Sequence, residues 1–204
     1  MASTLEAQKS LFPNPTMKHL TMAELKAGLD HIRQSPREEG VLELMVRRPQ
    51  VDAREILDAG ELDLQHGLVG DSWTMRRSSR TEDGSPHPDM QLNIMNSRVV
   101  ALVAGEKDRW QLAGDQFFID MDLSENNLPA GTRLTIGSAV IEVTPPPHLG
   151  CHKFVARFGL EAMKFVNSPV GRELHLRGIN AKVVQGGRVR VGDLLRKQSG
   201  VDLD

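Results

Sequence analysis

The chain of 204 residues holds one cysteine and no tyrosine, and aromatic residues make up only 4% of it. A single cysteine excludes an internal disulfide and points to a reducing compartment, so a cytoplasmic protein is expected. With so few aromatics the core has to be built mainly from Val, Leu, Ile and Met. Base stacking on a basic surface is equally poorly served, and with a formal net charge of −2 no nucleic-acid partner is expected. No apolar run approaches the ~18 residues of a membrane span, so no membrane association is expected. The opening "MASTLEAQKS" has no apolar segment behind a basic start, and no secretory signal is expected.

What is present is ordinary in amount and uneven in placement. Hydrophobic residues make up 39% and charged residues 25%, as in soluble globular proteins, and the length allows one sizeable core. Residues 151–204 carry ten Lys and Arg against five Asp and Glu, whereas residues 1–150 carry fifteen against twenty-two. The segment beginning at Cys151 is therefore locally basic. It is either a solvated surface or a site that attracts an anion such as a phosphate.

Residues 1–20, with two prolines, read as a flexible tail, and 21–204 as one domain. "TMAELKAGLDHIRQSP" predicts a helix opened by a capping box of Thr21 and Glu24. "GVLELMVRRP" predicts a strand ended by Pro49. "VDAREILDAG" repeats the helix-start pattern with Asp52 and Glu55, and predicts a short helix closed by Gly60. Residues 74–90 form a polar stretch without periodicity, carrying Arg76, Arg77 and Arg80; such long loops are uncommon in compact domains unless functional or disordered. "MQLNIMN" predicts a strand, followed by a helix capped by Asn96 and ended by Gly105. "DQFFIDMDL" predicts another strand, and "RLTIGSAVIEVTP" a hairpin about Gly137-Ser138. "FVARFGLEAMKFVNS" has helical spacing interrupted at Gly159. "SPVGRELHLRG" predicts a shorter helix, and "INAKVVQGGRVRVGDLL" a hairpin about Gly186-Gly187. Short strands, Gly turns and several helices together point to a mainly β architecture, a barrel or strongly bent sheet with peripheral helices.

The only cysteine stands in "VTPPPHLGCHKF". A lone cysteine is commonly a small buried filler. Here three prolines end a strand, because proline cannot donate to a ladder, and Gly150 loosens the turn. Cys151 is thus expected in a loop at a strand end, where sites concentrate. His148, His152 and Lys153 flank it, and nearby positive charge favours the thiolate, which is both nucleophile and metal ligand. A zinc site would need more ligands than "HLGCH" supplies. A cysteine hydrolase would need His and Asn or Asp close in space. A soft metal centre could take its remaining ligands from a cofactor.

"GLVGD" at 67–71, "NNLPAG" at 126–131, "IGSAVIEVTPPPHLGCHKF" at 136–154 and "RGINAKVVQGGRVRVGD" at 177–193 occur in one order. This series resembles the MOSC domain, named for the C-terminal part of molybdenum cofactor sulfurases, most strongly over residues 40–195. The resemblance implies a β-barrel with peripheral α-helices. In stand-alone relatives that reduce N-hydroxylated bases, molybdenum is held by the two sulfurs of molybdopterin and by one protein cysteine, which Cys151 matches. Asp71, in the Gly-Asp step, would pair with a cation or orient backbone amides. Asn127 matches the family's asparagine in the "NL" step. Lys153, Arg157, Arg172 and Arg177 could meet the cofactor phosphate, and Asn180 the pterin.

The resemblance thus implies a molybdenum–molybdopterin protein that reduces N–O bonds of a small-molecule substrate, with electrons from an external reductase. In the sulfurases the same domain works beside a pyridoxal-phosphate domain and its cysteine is linked to sulfur handling. That partner is not expected here, nor is pyridoxal phosphate. The alternative is a carrier that holds a persulfide on Cys151 or passes cofactor to another protein. Three departures from the family pattern stand out. Trp73 stands where a histidine often follows the aspartate, "PPPHLG" replaces an arginine-containing run, and none of the extra N-terminal barrel, the helical tail and an iron–sulfur cysteine cluster is expected. His148 stands where it could replace the missing polar group.

Overall fold

A computed structural model describes residues 19–198. The tail expected over residues 1–20 lies, but for its last two residues, outside the described residues. The capping box forms as its residue types dictate. Thr21 Oγ1 accepts from the Glu24 amide, and the Glu24 carboxylate accepts from the Thr21 amide at 2.7 Å. The predicted helix is split at Gly28 into α1 (Met22–Ala27) and α2 (Leu29–Arg33).

The strands are β1 (Glu39–Arg47), β2 (Glu55–Leu57), β3 (Ala59–Asp63), β4 (Gly67–Leu68), β5 (Leu92–Asn96), β6 (Phe117–Asp120), β7 (Arg133–Ile136), β8 (Ala139–Thr144), β9 (Ile179–Gln185), β10 (Gly187–Arg190) and β11 (Leu194–Lys197). Seven of them close a mixed barrel in the order β1-β6-β5-β9-β8-β7-β11, with β11 returning to β1. Only the β5–β6 pair is parallel, and these two strands are joined through α3 (Ser97–Ala104). β2 continues the sheet beyond β1, while β10, β3 and β4 form a separate three-stranded sheet.

The middle of β1 is buried on both faces, and Leu42, Leu44, Met45 and Val46 are apolar accordingly. Leu42 and Met45 belong to the barrel core, Leu44 and Val46 to the helix-covered outer face. The odd spacing of the two core residues is reconciled by a register shift against β6 between Leu42 and Leu44. Phe117 and Ile119 likewise point inward and Phe118 outward. The outer layer rests on α1, α2, α3, α4 (His152–Phe158) and α5 (Leu160–Asn167); α6 (Pro169–Glu173) follows. Gly159 separates α4 from α5 with φ +89°, a conformation that costs a side-chain-bearing residue.

Two expectations fail. Residues 51–60 are not helical: Asp52 takes φ +62°, and Glu55 and Gly60 lie in β2 and β3. The helix-start pattern is overridden by pairing, since Glu55 sits opposite Arg47 and its carboxylate accepts from the guanidinium at 2.6 and 2.7 Å. Nor do β9 and β10 form a hairpin. β9 pairs with β5 and β8, whereas β10 crosses to β3. The other hairpin forms as expected, β7 on β8 about Gly137 at φ +54°. No described helix is long and apolar enough to cross a membrane.

Candidate functional site

The barrel has one polar rim. Asn93 on β5 pairs with Asn180 on β9, which in turn lies opposite Thr144, the last residue of β8. Gln116 and Asp115 precede β6 at the same level, and Arg48 follows β1. The three prolines after Thr144 then take the chain off the sheet, as expected of residues that cannot extend a ladder. The Pro146 carbonyl accepts from Asn180 Nδ2 at 2.8 Å, and Asn180 Oδ1 accepts from Asn93 Nδ2 at 2.7 Å. At Gly150 the backbone is held to α5: its amide donates to Asn167 Oδ1 at 2.9 Å and its carbonyl accepts from Asn167 Nδ2 at 3.1 Å. Cys151, next in line, is exposed and precedes α4, and its side chain makes no capping bond.

Cys151 borders a cleft of about 550 Å³ whose walls carry seven Arg and Lys side chains. Arg48, Arg54, Arg76 and Arg77 come from the first half of the chain; Lys153, Arg157 and Arg177 from the last third. Two of the seven are neutralised within the fold. Arg48, 1% exposed, donates through Nε and Nη2 to the Asp71 carboxylate, each at 2.9 Å, and through Nη1 to Asn93 Oδ1 at 2.8 Å. Arg177 donates through Nη1 to both oxygens of the buried Asp115 at 2.8 and 2.9 Å, and lies over the Phe154 ring. Its Nε is a buried donor with no partner among the described residues.

The remaining cations share little negative charge. Asp52 is the carboxylate lining the cleft, 3.3 Å from Lys153 and 3.5 Å from Arg157. Arg54 and Arg76 donate only to carbonyls and a hydroxyl. Burial first, then repulsion from neighbouring guanidinium groups, depresses both to about 10. A cluster held at that cost favours a bound anion.

His148 lines the same cleft, with Nε2 2.8 Å from Asp115 Oδ1. Burial alone would raise the Asp115 carboxyl, but Arg177 and His148 outweigh it and hold it well below the usual carboxylate range. Burial, followed by the charge of Arg177, pushes His148 down despite Asp115. The imidazole is therefore neutral at pH 7, with Nε2–H donating to Asp115. Its Nδ1 makes no hydrogen bond among the described residues.

Of the residues singled out in the sequence, Cys151, His148, Lys153, Arg157 and Arg177 come together around this cleft. Asp71 lies behind it. It pairs with Arg48 and accepts from the Arg48 and Trp73 amides at 2.9 and 3.0 Å. Asn180 reaches the cleft through Asn93. Asn127 is not brought to it: Nδ2 donates to the Arg37 and Asp122 carbonyls, and Oδ1 accepts from Lys197 at 2.7 Å. Arg172 lines a different cavity. Arg48, Arg54, Asn93 and Asp115 were missed. The readable signal for Arg48 and Asp115 was a charge placed just beyond an apolar strand, which marks a barrel rim. Among the described residues no group of three or more His, Cys, Asp or Glu side chains is placed to hold a metal ion. A metal at Cys151 would need its other ligands from outside the protein.

Fold and cleft define a small closed-barrel protein that presents an accessible thiol beside an anion-attracting cleft. The MOSC domain profile matches residues 85–196, and the chain belongs to the MOSC domain family. Among solved structures it is similar to the YuaD protein from Bacillus subtilis, with a TM-score of 0.60 and 17% identity over 82% of this chain and all of that one. It is also similar to YiiM from Escherichia coli, with a TM-score of 0.51 and 20% identity over 79% of this chain and 71% of that one. YiiM from Geobacillus stearothermophilus gives 0.50 and 14% over 82% and 77%. At such identities the likeness is one of fold. Comparison with curated proteins returned no match.

Proposed function

We propose that the cleft holds a molybdenum–molybdopterin cofactor with Cys151 as the protein's metal ligand, and that the protein reduces an N–O bond in a small N-hydroxylated or related substrate. The carrying observation is the accessible Cys151 beside a cleft with seven cations and one lining carboxylate. The residues fit the group. Its phosphate needs guanidinium or ammonium donors, and a soft metal needs a thiolate plus ligands that the protein here does not supply.

Arg54, Arg76 and Arg77 would take the phosphate, while Asp52 keeps Lys153 and Arg157 directed across the cleft. Arg48 and Arg177 are too well paired to move and form its fixed floor. Asn180 and Asn93 hold that floor to the Pro146 carbonyl. When bound, the cofactor supplies the two-electron chemistry; the protein supplies orientation, electrostatics and protons. N–O reduction consumes protons, and His148 Nδ1, which carries none at rest, would relay one by first accepting it from solvent. Electrons come from an external reductase. The reading requires neither pyridoxal phosphate nor nucleic acid, and places the protein in the cytoplasm, where a single thiol stays reduced.

Metal and pterin analysis of protein made in a cofactor-competent host is the test. Wild type retains molybdenum and pterin, and Cys151→Ser loses most of the metal. Equally little metal in both sinks the proposal. The exposure of Cys151 also suits a second reading, a persulfide carrier. Incubation with a cysteine desulfurase and cysteine separates the two: a labile adduct of ~32 Da on Cys151, without molybdenum, selects the carrier.

A further inference from the structure

A second cavity, of about 360 Å³, opens at the same end of the barrel. It shares only His148 and Arg177 with the cleft beside Cys151. Its size is at the small end of the ~300–1,000 Å³ typical of small-molecule sites. Its walls are apolar and stiff. Leu128, Val143, Val166 and Ile179 are buried barrel and helix residues, and Pro145–Pro147 add a face with no rotamers to freeze. Leu149, also lining it, is 42% exposed, a large apolar side chain kept in contact with water at the cavity.

The polar groups here are unequally committed. Glu125 lies 3.3 Å from His175 Nε2, and His175 Nδ1 donates to the Leu123 carbonyl at 2.7 Å. Arg172 spends only Nε, on the Asn167 carbonyl at 3.2 Å. Its two Nη groups have no partner among the described residues, which leaves the planar fork that binds carboxylates in bidentate fashion.

We propose that this cavity is a binding site for a small organic acid, with an apolar ring or short chain against Leu128, Val143, Ile179 and the prolines, and its carboxylate on Arg172. Such a ligand lies against His148 and Arg177, the two side chains that also face Cys151. The site stands on its own residues and does not require the cofactor reading.

The probes are benzoate and the matching cation benzylamine, titrated into the protein as purified, with and without molybdenum, and followed by amide chemical shifts. Benzoate binds saturably and at least about tenfold more tightly than benzylamine, as one charge-assisted pair dictates. Two variants at exposed lining positions keep the fold: Arg172→Gln weakens benzoate at least about tenfold, and Ala130→Trp, filling the cavity, abolishes binding. The proposal is overturned by absence of saturable benzoate binding at about 10 mM, by equal affinity for benzylamine, or by either variant binding like wild type. Benzoate binding by wild type that retains no molybdenum leaves this proposal standing, while the cofactor reading fails by its own metal analysis.

Discussion

Replacing Asp71 by alanine removes the centre of the rim. Its carboxylate is fully buried and accepts four hydrogen bonds, three of them from Arg48 at 2.9 Å and one from the Trp73 amide at 3.0 Å. In Asp71→Ala the Arg48 guanidinium stays buried, with Asn93 and the Gly114 carbonyl as its remaining acceptors among the described residues. Removing one partner of a buried pair costs about 3–5 kcal/mol, chiefly because the other charge is stranded. A folded domain has only about 5–15 kcal/mol in total. At roughly 2–4 °C per kcal/mol for a chain of this size, Tm falls by roughly 6–20 °C. Urea unfolding followed by tryptophan fluorescence gives the free energy, and a thermal scan gives Tm. The double variant Arg48→Met/Asp71→Leu removes both charges and recovers most of the loss. A loss below about 1 kcal/mol in Asp71→Ala, or a double variant no better than the single, would refute the account of a stranded charge.

Two further outcomes follow from the same end of the barrel. His148 is held below its ordinary value of 6.5, so between that value and its folded one the unfolded chain binds the extra proton and stability falls with pH. Wild type therefore has a lower urea midpoint at about pH 5.5 than at about pH 7.5, and His148→Gln shows a smaller difference; equal differences would refute the assignment. Asp115 adds nothing in that window, because its contribution is lost only below its ordinary 3.8. Gly178 has φ +110°, and a Cβ there would lie 2.1 Å from the Ile94 carbonyl oxygen in the barrel wall. Gly178→Ala should cost at least about 2 kcal/mol in the same urea assay, and an unchanged midpoint would show that β5 can yield.

The elements that could be read in the sequence were those whose signals are local. Thr21 and Glu24, Asn96 and Gly105, and Gly137 in its turn each fix a neighbour within a few residues, and the structure places all of them as read. What failed depended on distant partners. Asp52 and Glu55 carry a helix-start pattern, but Arg47 opposite Glu55 draws the segment into a sheet. Gly186 and Gly187 promise a hairpin, but β3 takes β10 away from β9. The site divides the same way. The charge imbalance after Cys151 exposed Lys153, Arg157 and Arg177 as cations near the thiol. Arg48 and Arg54 lie about a hundred residues upstream in an acidic stretch, and only the closure of the barrel brings them to the same cleft. Asn127 had the family's pattern, yet its amide is fully used in holding Arg37, Asp122 and Lys197 together.

Among the described residues β11 is the strand that links β7 to β1, and it follows all the other described strands in sequence. On the ribosome, everything before Leu194 can emerge and pair while two strand edges remain open. Those edges are templates for pairing with other chains, and at about 5–20 residues per second they stay open for seconds. The cleft walls near residues 48–77 and 151–177 are thus made before the barrel that fixes them is sealed. Synthesis therefore contains an interval in which both walls of the site exist but are not yet held together, and a stop before Leu194 would make that interval permanent.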